Sequence, residues 1–100
     1  MTSLQLKVTE FNQKRILTVD TNLRVLDLSS EVGEVCKLAF SAGVGNKFEI
    51  GEWEDELGDV LYSLLSLMSN LDIDAEKALS KVLEKYQGRI ADRNSMESGK

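Results

Sequence analysis

Apolar residues recur at helical spacing along nearly the whole chain, and no proline interrupts them. This pattern predicts an all-α fold of four helices. The first runs over about residues 3 to 15 on Leu4, Leu6, Val8 and Phe11, with a less regular continuation to Val19. Asp20 or Thr21 then caps a second helix over about residues 22 to 41. Gly43, Gly45 and Asn46 close it and open a loop that reaches Gly51. A third helix covers about residues 52 to 71, its first turn acidic with Glu52, Glu54 and Asp55. The fourth starts at Asp72 or Asp74 and ends near Ala91, leaving a small polar tail over residues 94 to 100 that is expected to be disordered.

Placing residues at 100° intervals sharpens the two central helices. In the third, Leu57, Val60, Leu61, Leu64, Leu65, Leu67, Met68 and Leu71 fill an arc of roughly 160°. Glu52, Glu56, Asp59, Ser63 and Asn70 run along one edge of that arc. The second helix repeats the arrangement, with Val25, Leu28, Val32, Val35, Cys36 and Ala39 in the arc and Asp27, Glu31 and Glu34 at its edge. Each helix carries the same short word, Glu31-Val-Gly-Glu34-Val and Glu56-Leu-Gly-Asp59-Val. Residues three apart share a helix face, so each word presents two carboxylates side by side. If the helices pair antiparallel across the loop, the four acids fall at roughly 6 to 16 Å from the turn and face one another across one gap.

Four ionised carboxylates at a core edge repel one another and lose hydration. A divalent cation resolves that conflict, and an oxygen-only donor set suits Mg2+, with Mn2+ as a substitute. The bland alternative is two solvated helix faces. Histidine is absent, which removes His bases, Ser-His and Cys-His nucleophile systems and Glu-x-x-His di-iron ligands. The metal ligands and any general base are therefore sought among the carboxylates. Gly33 and Gly58 lie near the opposite edge of each arc and are expected to allow a neighbouring helix, from this chain or a partner, to come close.

The length of 100 residues corresponds to one domain, over residues 1 to 93, with a modest core that pairing with further copies would enlarge. Net charge is −5 and the pI near 4.7, which argues against binding a nucleic acid polymer. A single cysteine, Cys36, forms no intrachain disulfide and is expected to be a small core hydrophobe. The sequence shows neither a membrane span nor a basic-then-apolar leader, so a cytoplasmic location is expected.

Lys77, Lys81, Lys85, Arg89 and Arg93 recur every four residues in the last helix. They form either a solvated face balanced by Glu76 and Glu84, or a cationic wall for the far phosphates of a metal-bound substrate. Trp53 beside the acids is a candidate for stacking on a nucleobase; packing with Phe48 against the first helix or across a dimer interface is the alternative.

These residues resemble the MazG-like nucleoside triphosphate pyrophosphohydrolases, an all-α superfamily. Its motif of ExxE, a spacer and ExxD reads here as Glu31-x-x-Glu34, 21 residues, then Glu56-x-x-Asp59. The resemblance covers about residues 23 to 89, including LSSEVGEVCKLA, WEDELGDVLYSLLSL and NLDIDAEKALSKVLEKYQGR. It implies a four-helix bundle completed by homo-oligomerisation, as a homodimer or homotetramer. It also implies Mg2+-dependent hydrolysis of a nucleoside triphosphate between the α and β phosphates. Glu31, Glu34, Glu56 and Asp59 would be the catalytic metal ligands, and Lys81, Lys85 and Arg89 would contact phosphate. Two positions depart from many relatives, which carry an acid at Ser30 and an Asn near Lys85. Rival readings are a dUTPase-like or phosphoribosyl-ATP pyrophosphohydrolase of the same fold, or a noncatalytic helical dimerisation module.

Overall fold

The computed structural model describes residues 2–15 and 19–98, with side chains as far as residue 94. Four helices follow one another, α1 (Ser3–Lys14), α2 (Thr21–Gly43), α3 (Ile50–Asn70) and α4 (Ala75–Ser98), and no strand forms among the described residues. The all-α reading holds. The expected continuation of α1 toward Val19 falls on residues 16–18, outside the described part.

Local chemistry explains the boundaries. Thr2 caps α1, its hydroxyl accepting from the Gln5 N–H at 3.3 Å. Asp20 occupies the N-cap position of α2 but makes no side-chain cap hydrogen bond, contrary to expectation. α2 ends in a Schellman turn, with Asn46 N–H donating to Ser41 O at 3.1 Å and Gly45 N–H to Ala42 O at 3.2 Å. Gly45 supplies the positive φ of 91° this turn requires. α3 closes the same way, with Ile73 N–H on Met68 O and Asp72 N–H on Ser69 O, but here Asp72 takes the left-handed backbone at φ 55°. Asp74, not Asp72, then caps α4 by accepting from Lys77 N–H at 3.2 Å. α4 runs to Ser98, past the expected end near Ala91, so residues 94–98 of the supposed tail lie in the helix.

α3 is the axis of the molecule. α2 pairs closely with it through the hairpin, and α1 packs on it more briefly, whereas α4 has no extensive packing with any other helix. The α1–α3 contact is a polar seam. Asn12 Nδ2 donates to Ser66 Oγ at 3.1 Å and Asn12 Oδ1 accepts from Tyr62 OH at 2.6 Å, while Thr9 and Ser69 hydroxyls meet at 2.8 Å. Phe11 and Tyr62 stand edge to face at 6.1 Å beside it. Gln5 is fully buried and reaches furthest. Its amide donates to Ile73 O at 2.7 Å and accepts from Ala75 N–H at 2.8 Å, thereby holding the α3–α4 corner and one of the orphan N–H groups of α4.

The apolar arcs are not covered as expected. Leu65 is the one buried large hydrophobic among the described residues, while Leu57, Leu61, Val25 and Val32 are exposed. Cys36 is exposed too, so it is no core residue. Among the described residues, no other helix comes within 4 Å of a Cβ placed at Gly33 or Gly58, so none of them makes a close approach there. The cause is common to all of these: among the described residues, no further element lies over those faces.

Candidate functional site

The α2–α3 hairpin brings acids from both helices to one place. One carboxylate oxygen each from Glu31, Glu56 and Asp59 lies within 4.8 Å of the others. Glu31 and Glu56 are half-buried and Asp59 is exposed. Three of the four expected acids therefore gather.

Glu34 stands aside from that trio. Its carboxylate pairs with Lys37 at 3.2 Å, one turn along the same helix. It remains near enough to act on Glu56, whose pKa is raised by burial first, and then by the charges of Asp59, Glu34, Glu31 and Asp55. The charges that act most strongly on Glu56 are thus all acids. Asp55, which the spacing argument left in the first turn of the helix, adds to this negative field.

The donor set fits a hard cation. It offers carboxylate oxygens alone, without nitrogen or sulfur, and a cation would offset both the burial and the neighbouring charges that push the Glu56 pKa up.

The other sequence candidates are elsewhere. Lys81, Lys85 and Arg89 are exposed on α4, and the ammonium of Lys85 and guanidinium of Arg89 lie 5.7 and 5.9 Å from the Tyr86 ring centroid. The charges that act most strongly on Glu56 do not include theirs. Trp53 sits one turn before Glu56, half-buried, with its ring 5.6 Å from that of Phe48. The two aromatics therefore pack on each other.

A family model of the MazG nucleotide pyrophosphohydrolase domain matches residues 19–93, three-quarters of the chain and all of the hairpin that holds the acids. The chain belongs to the MazG family. It is also similar to YpjD of Bacillus subtilis (strain 168), an uncharacterized protein, with 44% identity over 48 residues. That match takes in 47% of this chain and 43% of YpjD, so it spans less than half of the relative's length. No solved structure matches the chain. The MazG resemblance drawn from residues 23 to 89 thus extends a few residues at either end. Among the described residues, no helix is long and apolar enough to cross a membrane.

Proposed function

We propose that the chain is a Mg2+-dependent nucleoside triphosphate pyrophosphohydrolase that cleaves between the α and β phosphates, giving a nucleoside monophosphate and pyrophosphate. The observation that carries this reading is the trio of carboxylate oxygens within 4.8 Å, contributed by both helices of a MazG hairpin. A noncatalytic module has no need to crowd acids so that one of them resists ionisation.

Glu31, Glu56 and Asp59 would hold the metal, with Glu34 free to join by leaving Lys37, a surface ion pair worth little. When bound, Mg2+, or Mn2+ in its place, would neutralise charge on the phosphate oxygens and make a water easier to deprotonate. One carboxylate of the group orients that water and takes its proton as the oxygen attacks the α phosphorus. The bond to the bridging oxygen breaks and pyrophosphate leaves. Lys81, Lys85 and Arg89 receive its charge. Trp53 presents a ring to the base. The proposed setting is the cytoplasm, where an exposed free thiol such as Cys36 stays reduced.

A panel of ribo- and deoxyribonucleoside triphosphates with Mg2+, scored for monophosphate and pyrophosphate, tests the reaction. Glu56→Gln is expected to reduce turnover by about 100-fold or more, the usual scale for a group that stabilises transition-state charge. Release of orthophosphate, or full activity in that variant, overturns the mechanism. Saturating Mg2+ should also raise Tm, since a ligand at 100 times its Kd adds about 2.7 kcal/mol.

A further inference from the structure

We infer that Gln5 is a positioning residue for substrate phosphate: from α1, it fixes the direction in which α4 carries Lys81, Lys85 and Arg89. This rests on the phosphate-binding reading of those three cations and adds what aims them.

α4 has little lateral support of its own. Among the described residues no helix packs extensively along it. The shallow groove it shares with Leu64, Leu65 and Met68 of α3 involves only its residues 75–82, and further on Leu83, Tyr86 and Ile90 are exposed. Its course therefore depends on how its root is held.

The root is held by one side chain. Gln5 is fully buried, and its amide spans the corner residue Asp74. Nε2 donates to Ile73 O at 2.7 Å and to Ser69 Oγ at 3.3 Å, while Oε1 accepts from Ala75 N–H at 2.8 Å. The carbonyl demands a donor and the N–H an acceptor, so only one orientation of the amide satisfies both. Taking a carbonyl and the N–H two residues on closes a ring that includes the backbone of Asp74, and thereby restricts the dihedrals that set the exit angle of α4. Gln5 is itself secured. Its own carbonyl accepts from the Thr9 hydroxyl at 2.9 Å, and that hydroxyl meets Ser69 of α3. The clamp thus refers α4 to the helix that carries Glu56 and Asp59.

Length turns a small change of angle into a large one of place. At 1.5 Å per residue, Lys81, Lys85 and Arg89 stand about 9, 15 and 21 Å from Ala75, so a tilt of about 10° moves them by about 1.6, 2.6 and 3.7 Å. A misplacement of about 1 Å can already cost about 100-fold in rate. Freeing the corner should therefore disturb the phosphate contacts in order, Arg89 most and Lys81 least, without touching the acids on α2 and α3.

Spin labels on Cys36 and on Ala91→Cys, both exposed positions, read the course of α4 against the hairpin. Dilution in unlabelled protein restricts the measurement to distances within one chain. Wild type is expected to give one narrow distribution. Gln5→Met keeps the volume and removes the hydrogen bonds, and should broaden or shift that distribution by about 4 Å, the effect of a tilt of about 10° over roughly 24 Å. It should also weaken pyrophosphate binding and raise the KM for a nucleoside triphosphate by about 10-fold, while the Kd for Mg2+ alone changes by less than about two-fold. Arg89→Ala should then cost less in the Gln5→Met background than in wild type. Asn12→Ala loosens α1 but spares the Gln5 bonds, and should leave distances and pyrophosphate affinity as they are. If Asn12→Ala matches Gln5→Met in these readouts, or if Gln5→Met alters stability alone, Gln5 aims nothing and the proposal fails. Gln5→Asn, one methylene too short to span both partners, replaces Gln5→Met if that variant does not fold; a broad wild-type distribution overturns the proposal without any variant. A wild type that neither hydrolyses nucleotides nor binds pyrophosphate overturns the phosphate reading instead, and the distances still decide whether Gln5 directs α4.

Discussion

The two flanks of α3 are built on opposite terms. On one, α1 is held by named hydrogen bonds, Asn12 to Ser66 and Tyr62, and Thr9 to Ser69. On the other, α4 lines an open apolar groove with Ala78, Leu79 and Val82 and has no extensive packing with α3. A polar seam is directional, so a few residues suffice to define it within one chain. An apolar face is non-directional and gains in proportion to the area it covers, so it stays incomplete until something large enough lies on it. The first flank gives the chain its shape, and the second leaves an apolar face open.

Substitutions can separate the two flanks. Leu65→Ala, at the buried residue of α3 that also lines the groove, should lower stability by about 2–5 kcal/mol in chemical denaturation. Leu79→Asp tests the homo-oligomer expected from the sequence: in a self-associating chain, sedimentation should show a dissociation constant raised about 30-fold or more, a hot-spot loss of at least ~2 kcal/mol. A monomeric wild type would remove the distinction. Gln5→Ala strips partners from Ile73 O and Ala75 N–H, for a loss of about 1–3 kcal/mol and faster hydrogen exchange at the first turn of α4. The Asn12→Ala and Ser66→Ala pair should show a coupling of about 0.5–1 kcal/mol in a double-mutant cycle that does not vary with protein concentration. The smallest effect concerns Glu56. A carboxyl whose folded pKa is raised binds protons more readily in the native state, so without metal its contribution to stability falls as pH rises from the unfolded through the folded value. Melting curves of Glu56→Gln should lack that part of the pH dependence and, above the folded pKa, lie slightly higher than wild type.

The helices were readable because apolar spacing survives any arrangement of the chain. Where α2 stops was readable from Gly45, whose positive φ favours glycine; the same turn at Asp72 was hidden because an aspartate there also suggests a cap. Two pairs of acids could be placed on facing helix edges by counting, and Glu31, Glu56 and Asp59 do meet. Counting could not show that Glu34 turns to Lys37, since that is a choice of rotamer between neighbours on one surface. The polar seam was overlooked because serine, asparagine and glutamine look like solvent-facing residues. A signal was present, however: Gln5, Thr9 and Asn12 share one face of α1, as Tyr62, Ser66 and Ser69 do on α3. The course of α4 depends on a contact between Gln5 and a carbonyl 68 residues away, which no local pattern encodes.

Trp53 is the only tryptophan in the chain, half-buried on Phe48 and one turn from Glu56. Its fluorescence therefore comes from a single known place. Excitation at the red edge of the indole band watches the mouth of the carboxylate group without interference from Tyr62 or Tyr86. Arrival of a cation, of a nucleotide, or of a second chain over that end of α3 each changes what surrounds the ring. The native protein thus carries its own optical reporter, and titrations that would otherwise call for a label can be followed on the unmodified chain.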